Sequence, residues 1–127
     1  MGWEVKYMES EGIIEVTYFG HITRLDLEQA VKKRIEIQAE TGSRLILSDS
    51  IRVESGPSTI DMFDLPDEVY PENNASRQSL IALVLPESPK PRELGKFYRL
   101  ASQNRGWIVE EFDDKQSAID WLKSFHP

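Results

Sequence analysis

The sequence predicts a single-domain α/β fold built on a mixed β-sheet, with an N-terminal antiparallel hairpin and parallel βαβ crossovers, in the order ββαβαβαβα. Three observations predict it. Two alternating segments, 3–8 and 13–19, are joined by the short turn Ser10-Glu11-Gly12, a spacing that suits a hairpin. Later apolar runs alternate with stretches of helical periodicity, so the strands they form require crossovers and pair in parallel. Residues Ser79 to Leu85 are apolar on both alternating faces, as in a strand covered on both sides.

The elements follow in order. Trp3, Val5 and Tyr7 alternate with Glu4, Lys6 and Met8, a period of two that marks a strand. Ile13 to Phe19 is β-branched and aromatic, with Ile14, Val16 and Tyr18 on one face, and Gly20 ends it. Thr23 with Asp26 three residues on is a capping box. The helix it opens carries Leu27, Ala30, Val31 and Ile35 on one face and closes at Gly42, the expected left-handed cap. Its basic triplet Lys32-Lys33-Arg34 reads as a solvated face. Arg44 to Ser48 is a short buried strand, and the polar stretch Asp49 to Pro57 reads as turn-rich. Ser58 or Thr59 caps a second helix through Ile60, Met62, Phe63 and Leu65, which Pro66 interrupts. The segment from Pro66 to Arg77, with two prolines and two asparagines, reads as an irregular loop. After the strand at 79–85, Ser88-Pro89 opens a third helix with Leu94, Phe97, Tyr98 and Ala101 in phase, ended by Asn104-Arg105-Gly106. Trp107 to Phe112 is the last strand. Asp113, with Gln116 completing the box, caps a last helix with the stripe Ala118, Trp121, Leu122 and Phe125.

Composition bounds the function. The 127 residues are 39% hydrophobic and 29% charged, with twelve aromatics, enough for one domain with a core of its own. Fifteen Lys and Arg against 22 Asp and Glu give a net charge of −7, which argues against a general nucleic-acid binder. The chain has no Cys, which excludes disulfides, thiolate metal sites and cysteine nucleophiles and is compatible with a cytoplasmic location. No apolar run is long enough for a membrane span, and the N-terminus lacks a signal-peptide layout. Seven glycines lie no closer than eight residues apart, so neither a P-loop nor a dinucleotide fingerprint can be written. The two histidines, His21 and His126, form no paired metal motif, and the expectation is a protein with no metal and no cofactor. His21 reads as a surface or packing residue. Ser48, Ser50, Ser55 and Ser58 have no histidine nearby in sequence, and a spatial triad with His21 stays open. The carboxylates Asp61, Asp64, Asp67 and Glu68 read as a solvated acidic face.

Charge is unevenly distributed. Residues 54–72 hold six carboxylates and no Lys or Arg, whereas residues 89–106 hold five Lys or Arg against one Glu. Such asymmetry points to oriented association or to an internal bridge. The acidic segment is interleaved with Ile60, Met62, Phe63, Leu65, Val69 and Tyr70, a set that forms a flap or interface, or folds onto the sheet.

The element order, with Gly20 and the Thr23 helix start, Leu45-Ile46-Leu47-Ser48-Asp49, Leu80-Ile81-Ala82-Leu83-Val84, Asn104-Arg105-Gly106-Trp107 and Phe112-Asp113 through Ala118 to Trp121-Leu122, resembles the STAS domain. It resembles more narrowly the small bacterial proteins described as SpoIIAA-like or STAS/SEC14-like. The resemblance spans nearly all of residues 1–127 and implies a non-enzymatic regulatory or protein-interaction module. The apolar set Ile60, Met62, Phe63 and Val69 beside a complementary basic third helix points to self-association as a homodimer. The alternative is a carrier of a small apolar or lipid-like ligand, and a hydrolase ranks third. In the antagonist family the serine at the start of the second helix is phosphorylated within an Asp-Ser-Ser-Gly motif. Here the stretch is Glu54-Ser55-Gly56-Pro57-Ser58-Thr59; the motif is missing, and Ser58 reads as an N-cap. The residues expected to contact a partner or ligand are Ser58, Thr59, Ile60, Met62, Phe63, Val69, Tyr70, Lys96 and Arg99.

Overall fold

A computed structural model of the chain describes residues 2–125; Met1 and His126 from the sequence reading lie outside the described residues. Strands β1 (Trp3–Met8), β2 (Ile13–His21), β3 (Leu45–Ser55), β4 (Leu80–Val84) and β5 (Ile108–Phe112) form one sheet in sequential order, β1-β2-β3-β4-β5. β1 pairs antiparallel with β2, and the other three pairings are parallel. The three crossovers all step the same way along the sheet. With one hand of crossover their helices must share a face, and they do: α1 (Arg24–Thr41), the helical segment 59–72 and α4 (Pro89–Gln103) cover one face around Ile14, Val16, Ile46, Ile81 and Leu83. The last helix, α5 (Lys115–Lys123), has no following strand and folds back over the other face, packing Ala118 and Leu122 on Leu47, Ala82 and Val84. Every residue of β4 is buried, as its two apolar faces require, although the middle strand of the five is β3.

The Thr23 box closes as expected: Thr23 Oγ1 accepts from the Asp26 amide at 3.2 Å and the Asp26 carboxylate accepts from the Thr23 amide at 3.0 Å. Gly42 adopts φ 73° and donates to the Gln38 carbonyl at 2.8 Å. Leu27, Ala30 and Val31 are buried. Arg34 is buried with them, only 4% exposed, so the reading of the triplet as wholly solvated holds for Lys32 and Lys33 alone. Arg34 stands three residues after Val31 and seven after Leu27, squarely on the inward face.

Four boundaries differ from the sequence reading. Gly20 does not end β2; at φ 74° it sits at an irregularity where the register to β3 shifts, and the strand runs on to His21. β3 does not stop at Ser48 but continues to Ser55 beside the extended β2. Its polar residues face solvent or a cavity, which is why they do not read as strand. Pro66 does not interrupt the second helix. After α2 (Thr59–Asp64) the chain widens into a π-turn (Leu65–Val69) and returns to α3 (Tyr70–Glu72). Proline clashes with an ordinary helical ladder, and the wider i→i−5 register, in which the Tyr70 amide reaches the Leu65 carbonyl, carries the helix past it. Finally, the cap of α5 is Asp114, which accepts from the Ser117 amide at 2.8 Å, while Asp113 pairs with Arg92.

Ser58 caps α2 in a second capping box: its Oγ accepts from the Asp61 amide at 3.1 Å, and the Asp61 carboxylate accepts from the Ser58 amide at 3.2 Å. Burial works against ionisation of Asp61, but the Ser58 hydrogen bonds and the Arg24 guanidinium hold its carboxyl below the usual range. Ser58→Ala should lower stability by about 1 kcal/mol, and Ser58→Asp, also a good cap, should be tolerated. Urea denaturation of the two variants checks this; a Ser58→Asp loss as large as that of Ser58→Ala would count against the cap.

Candidate functional site

The helical face of the sheet is not filled completely. Between β3, α1, the 59–72 segment and α4 lies a cavity of about 80 Å³, roughly half the ~150 Å³ known to hold a benzene. Leu27 and Val31 of α1, Met62 and Leu65, and Leu94 of α4 contribute apolar wall. Polar atoms enter from two directions. Ser48 and Ser50 follow Ile46 on the inward face of β3, and Tyr18, Tyr70 and Tyr98 converge from β2, α3 and α4. Tyr70 and Tyr98 share a hydroxyl hydrogen bond of 2.5 Å. For the hydroxyls of Tyr18, Ser48 and Ser50 there is no hydrogen-bond partner among the described residues. Burial pushes the Tyr18 and Tyr98 phenols well above the ordinary tyrosine range, against the lowering field of Arg34, so both remain protonated donors.

The cavity continues outward into a groove of about 500 Å³ between residues 54–59 and α4, lined there by Lys90, Glu93 and Phe97. Gly56, Pro57, Pro91 and Leu94 border both spaces and form the shared mouth.

The structure sorts the expected contact residues into three groups. Met62 and Tyr70 line the cavity, and Ser58 and Thr59 line the groove. Val69 is core, 4% exposed. Ile60 is 71% exposed, Phe63 lies under the Arg105 guanidinium at 4.0 Å, Lys96 is exposed, and Arg99 pairs with Glu110 at 3.7 Å. The sequence reading passed over Tyr18, Ser48, Ser50 and Tyr98 as cavity residues. The serines carried a signal: two hydroxyls at inward positions of a strand that starts apolar.

One pair joins the acidic and basic segments found in sequence, and a cation from outside them, Arg24, takes two more of the carboxylates. Arg105 reaches Asp67 at 2.9 Å, and Arg24 of α1 bridges Asp64 at 2.6 Å and Asp61 at 3.2 Å. Much of the acidic cluster is thus an anchor for the 59–72 segment rather than a bare solvated face. The hydrogen bonds that Arg24 donates, to Asp64 first and Asp61 second, raise it above its ordinary value.

His21 and Ser55 are cross-strand neighbours in β2 and β3, and His21 Nδ1 lies 2.7 Å from Ser55 Oγ. Ser55 lines the groove. The pair has the spacing of a nucleophile and its base. Among the described residues no carboxylate hydrogen-bonds the other ring nitrogen, so the orienting third member of a triad is not assembled.

No family model and no curated protein matches the chain. Among solved structures, it is similar to an uncharacterized protein of the DUF3478 family with a SpoIIAA-like fold from Shewanella loihica PV-4. The TM-score is 0.56 at 17% identity, over 94% of this chain and 91% of that one. No described helix is long and apolar enough to cross a membrane. The five-stranded mixed sheet, its opening hairpin and its parallel crossovers thus give this chain a SpoIIAA-like fold.

Proposed function

We propose that the protein is a non-enzymatic binding module that takes a small, mainly apolar molecule into the cavity between β3, the 59–72 segment and α4. The observation that carries this reading is an apolar cavity whose lining also brings in the hydroxyls of Tyr18, Ser48, Ser50, Tyr70 and Tyr98. A site evolved for packing alone would fill that space with methyl groups, whereas a ligand pocket combines apolar wall with a few convergent polar groups. The cavity also opens beyond the carboxyl ends of β3 and β4, at Gly56, Pro57 and Pro86. A whole lipid is too large for the enclosed volume, so any longer tail must lie in the groove. The His21–Ser55 pair stays outside the reading because it lacks an orienting acid.

A second reading, self-association as a homodimer, is supported by Ile60, which stands 71% exposed on α2; large apolar side chains displayed beside a groove suit an interface. Lys96, Phe63 and Arg99 would lie at the margin of that surface.

Native mass spectrometry of freshly purified protein should show a retained small-molecule adduct. Leu94→Trp, whose indole would occupy the shared mouth, should lose it without unfolding. A bare wild-type chain whose cavity residues also fail to respond to short alkyl probes in NMR titrations overturns the reading. His21→Ala should keep both the fold and the adduct; loss of the adduct from a folded variant would place His21 in the site after all. Sedimentation velocity at micromolar concentration tests the dimer, with Ile60→Asp expected to yield monomer. A wild-type monomer at every concentration rejects self-association.

A further inference from the structure

Two charged side chains are buried on opposite faces of the sheet, and they are treated differently. Glu15, 2% exposed, has Lys115 at 2.5 Å and Lys6 at 3.4 Å. Arg34, 4% exposed, has no ion-pair partner among the described residues, and its buried Nη2 has no hydrogen-bond partner there. Burying a cation without a counter-charge is costly. What faces its guanidinium is the Tyr70 ring, 4.9 Å from Cζ to the centroid, an attraction that offsets part of the cost.

Tyr70 places that charge at the cavity, since the same side chain lines it. The field of Arg34 is felt at the Tyr18 and Tyr98 phenols, where it opposes the effect of burial. The carboxylate felt at Tyr18 is Asp26, which is already committed to the Thr23 cap. No Asp or Glu lines the cavity. Of the two hydroxyl hydrogens on Tyr70 and Tyr98, one is used between them and the other is left for an outside acceptor. In a chain of net charge −7, the inner end of this cavity therefore presents a positive field and hydrogen-bond donors.

We propose that the cavity selects small monocarboxylates, the carboxylate accepting from the tyrosine and serine hydroxyls in the field of Arg34 and the apolar tail leaving through the mouth at Pro57 and Leu94. This rests on the cavity being a ligand site and adds the chemical class of the ligand. Size fits the assignment. A space of about 80 Å³ suits the carboxylate end of such a molecule, and the groove takes the remainder. A cationic ligand would meet Arg34, and a neutral alcohol would forgo the charge-assisted hydrogen bonds.

The test is a set of NMR titrations of the full chain at neutral pH with hexanoate, 1-hexanol and hexylamine, followed at the amides of β3 and the 59–72 segment. Hexanoate should bind about tenfold more tightly than 1-hexanol, the scale of one charge-assisted contact, and hexylamine most weakly. Arg34→Met should bring hexanoate down to the level of 1-hexanol, and Arg34→Lys should restore part of the preference. Should Arg34→Met fail to fold, Tyr98→Phe, which keeps the ring and removes a donor, should weaken hexanoate more than 1-hexanol. If 1-hexanol binds as well as hexanoate to the wild type, the carboxylate assignment is wrong while the cavity remains a ligand site. If none of the three shifts those amides, both readings fall together.

Discussion

The packing of Tyr70 is the constraint on which the helical face of the molecule depends. Its hydroxyl meets Tyr98 of α4, its ring meets Trp107 edge-on with centroids 5.3 Å apart, and the Arg34 guanidinium of α1 lies against it. One side chain thus ties the 59–72 segment to both neighbouring helices and to the start of β5. The π-turn that delivers Tyr70 inward has its own lock. Pro71 has no amide to offer the Pro66 carbonyl in the i→i−5 register, and the buried indole of Trp107 donates to it instead at 2.9 Å. Two prolines five residues apart, each a poor helix residue alone, together create the acceptor that the tryptophan satisfies.

Charge reinforces this docking from the outside. Arg24 and Arg105 approach the 59–72 segment from α1 and from the end of α4, and each takes carboxylates from it. Surface pairs of this kind contribute little singly, yet Arg24 ties α1 to both ends of α2 through Asp61 and Asp64. The sign with pH follows from Asp61. Its folded value is depressed, so its contribution is present above the ordinary carboxylate range and fades as the pH falls through the lower folded value. Of the acidic and basic stretches seen in sequence only Asp67 and Arg105 pair with each other, whereas Arg92 and Arg99 turn to Asp113 and Glu110, and Lys96 and the apolar Ile60 stand on the outer surface.

Much of the fold was legible because local chemistry and tertiary demand agree in it. The hairpin, the Thr23 and Ser58 boxes, Gly42 and the doubly apolar β4 each carry a signal that is satisfied within a few residues. The misreadings occurred where a residue answers to something distant. Pro71 is tolerated because the distant Trp107 donates to the Pro66 carbonyl that Pro71 leaves without an amide. The polar half of β3 is a strand because β2 runs beside it past Gly20. Arg34 looked like the third member of a surface triplet, although its spacing from Leu27 and Val31 placed it inward. His21 and Ser55 meet only through β2–β3 pairing, and nothing local in either segment announces it. The candidate site was legible in part: Met62 and Tyr70 were on the right element, whereas the tyrosines of β2 and α4 could be assembled only by the fold.

The residues that bear on function are those whose places in the core an apolar side chain could also fill. Ser48 and Ser50 occupy inward positions that Val or Leu would fill with favourable burial of roughly 1.5–3 kcal/mol each. Arg34 sits where a methionine of similar length would pack without the cost of an unpaired charge, and replacing buried ions by apolar residues is often neutral or stabilising. Tyr18 brings a phenol into a space that a phenylalanine ring would line as well. Each is a departure from consistent core design, and departures of that kind concentrate where a protein does something besides fold. That β2, β3 and α1 bring them to one cavity, with the cation behind Tyr70 and the exit at Leu94, makes a common cause more economical than four separate accidents of packing. Likeness of fold to another protein cannot supply that cause, because function resides in the side chains a fold displays. Here those side chains are hydroxyls and a cation, a set that suits an anionic oxygen.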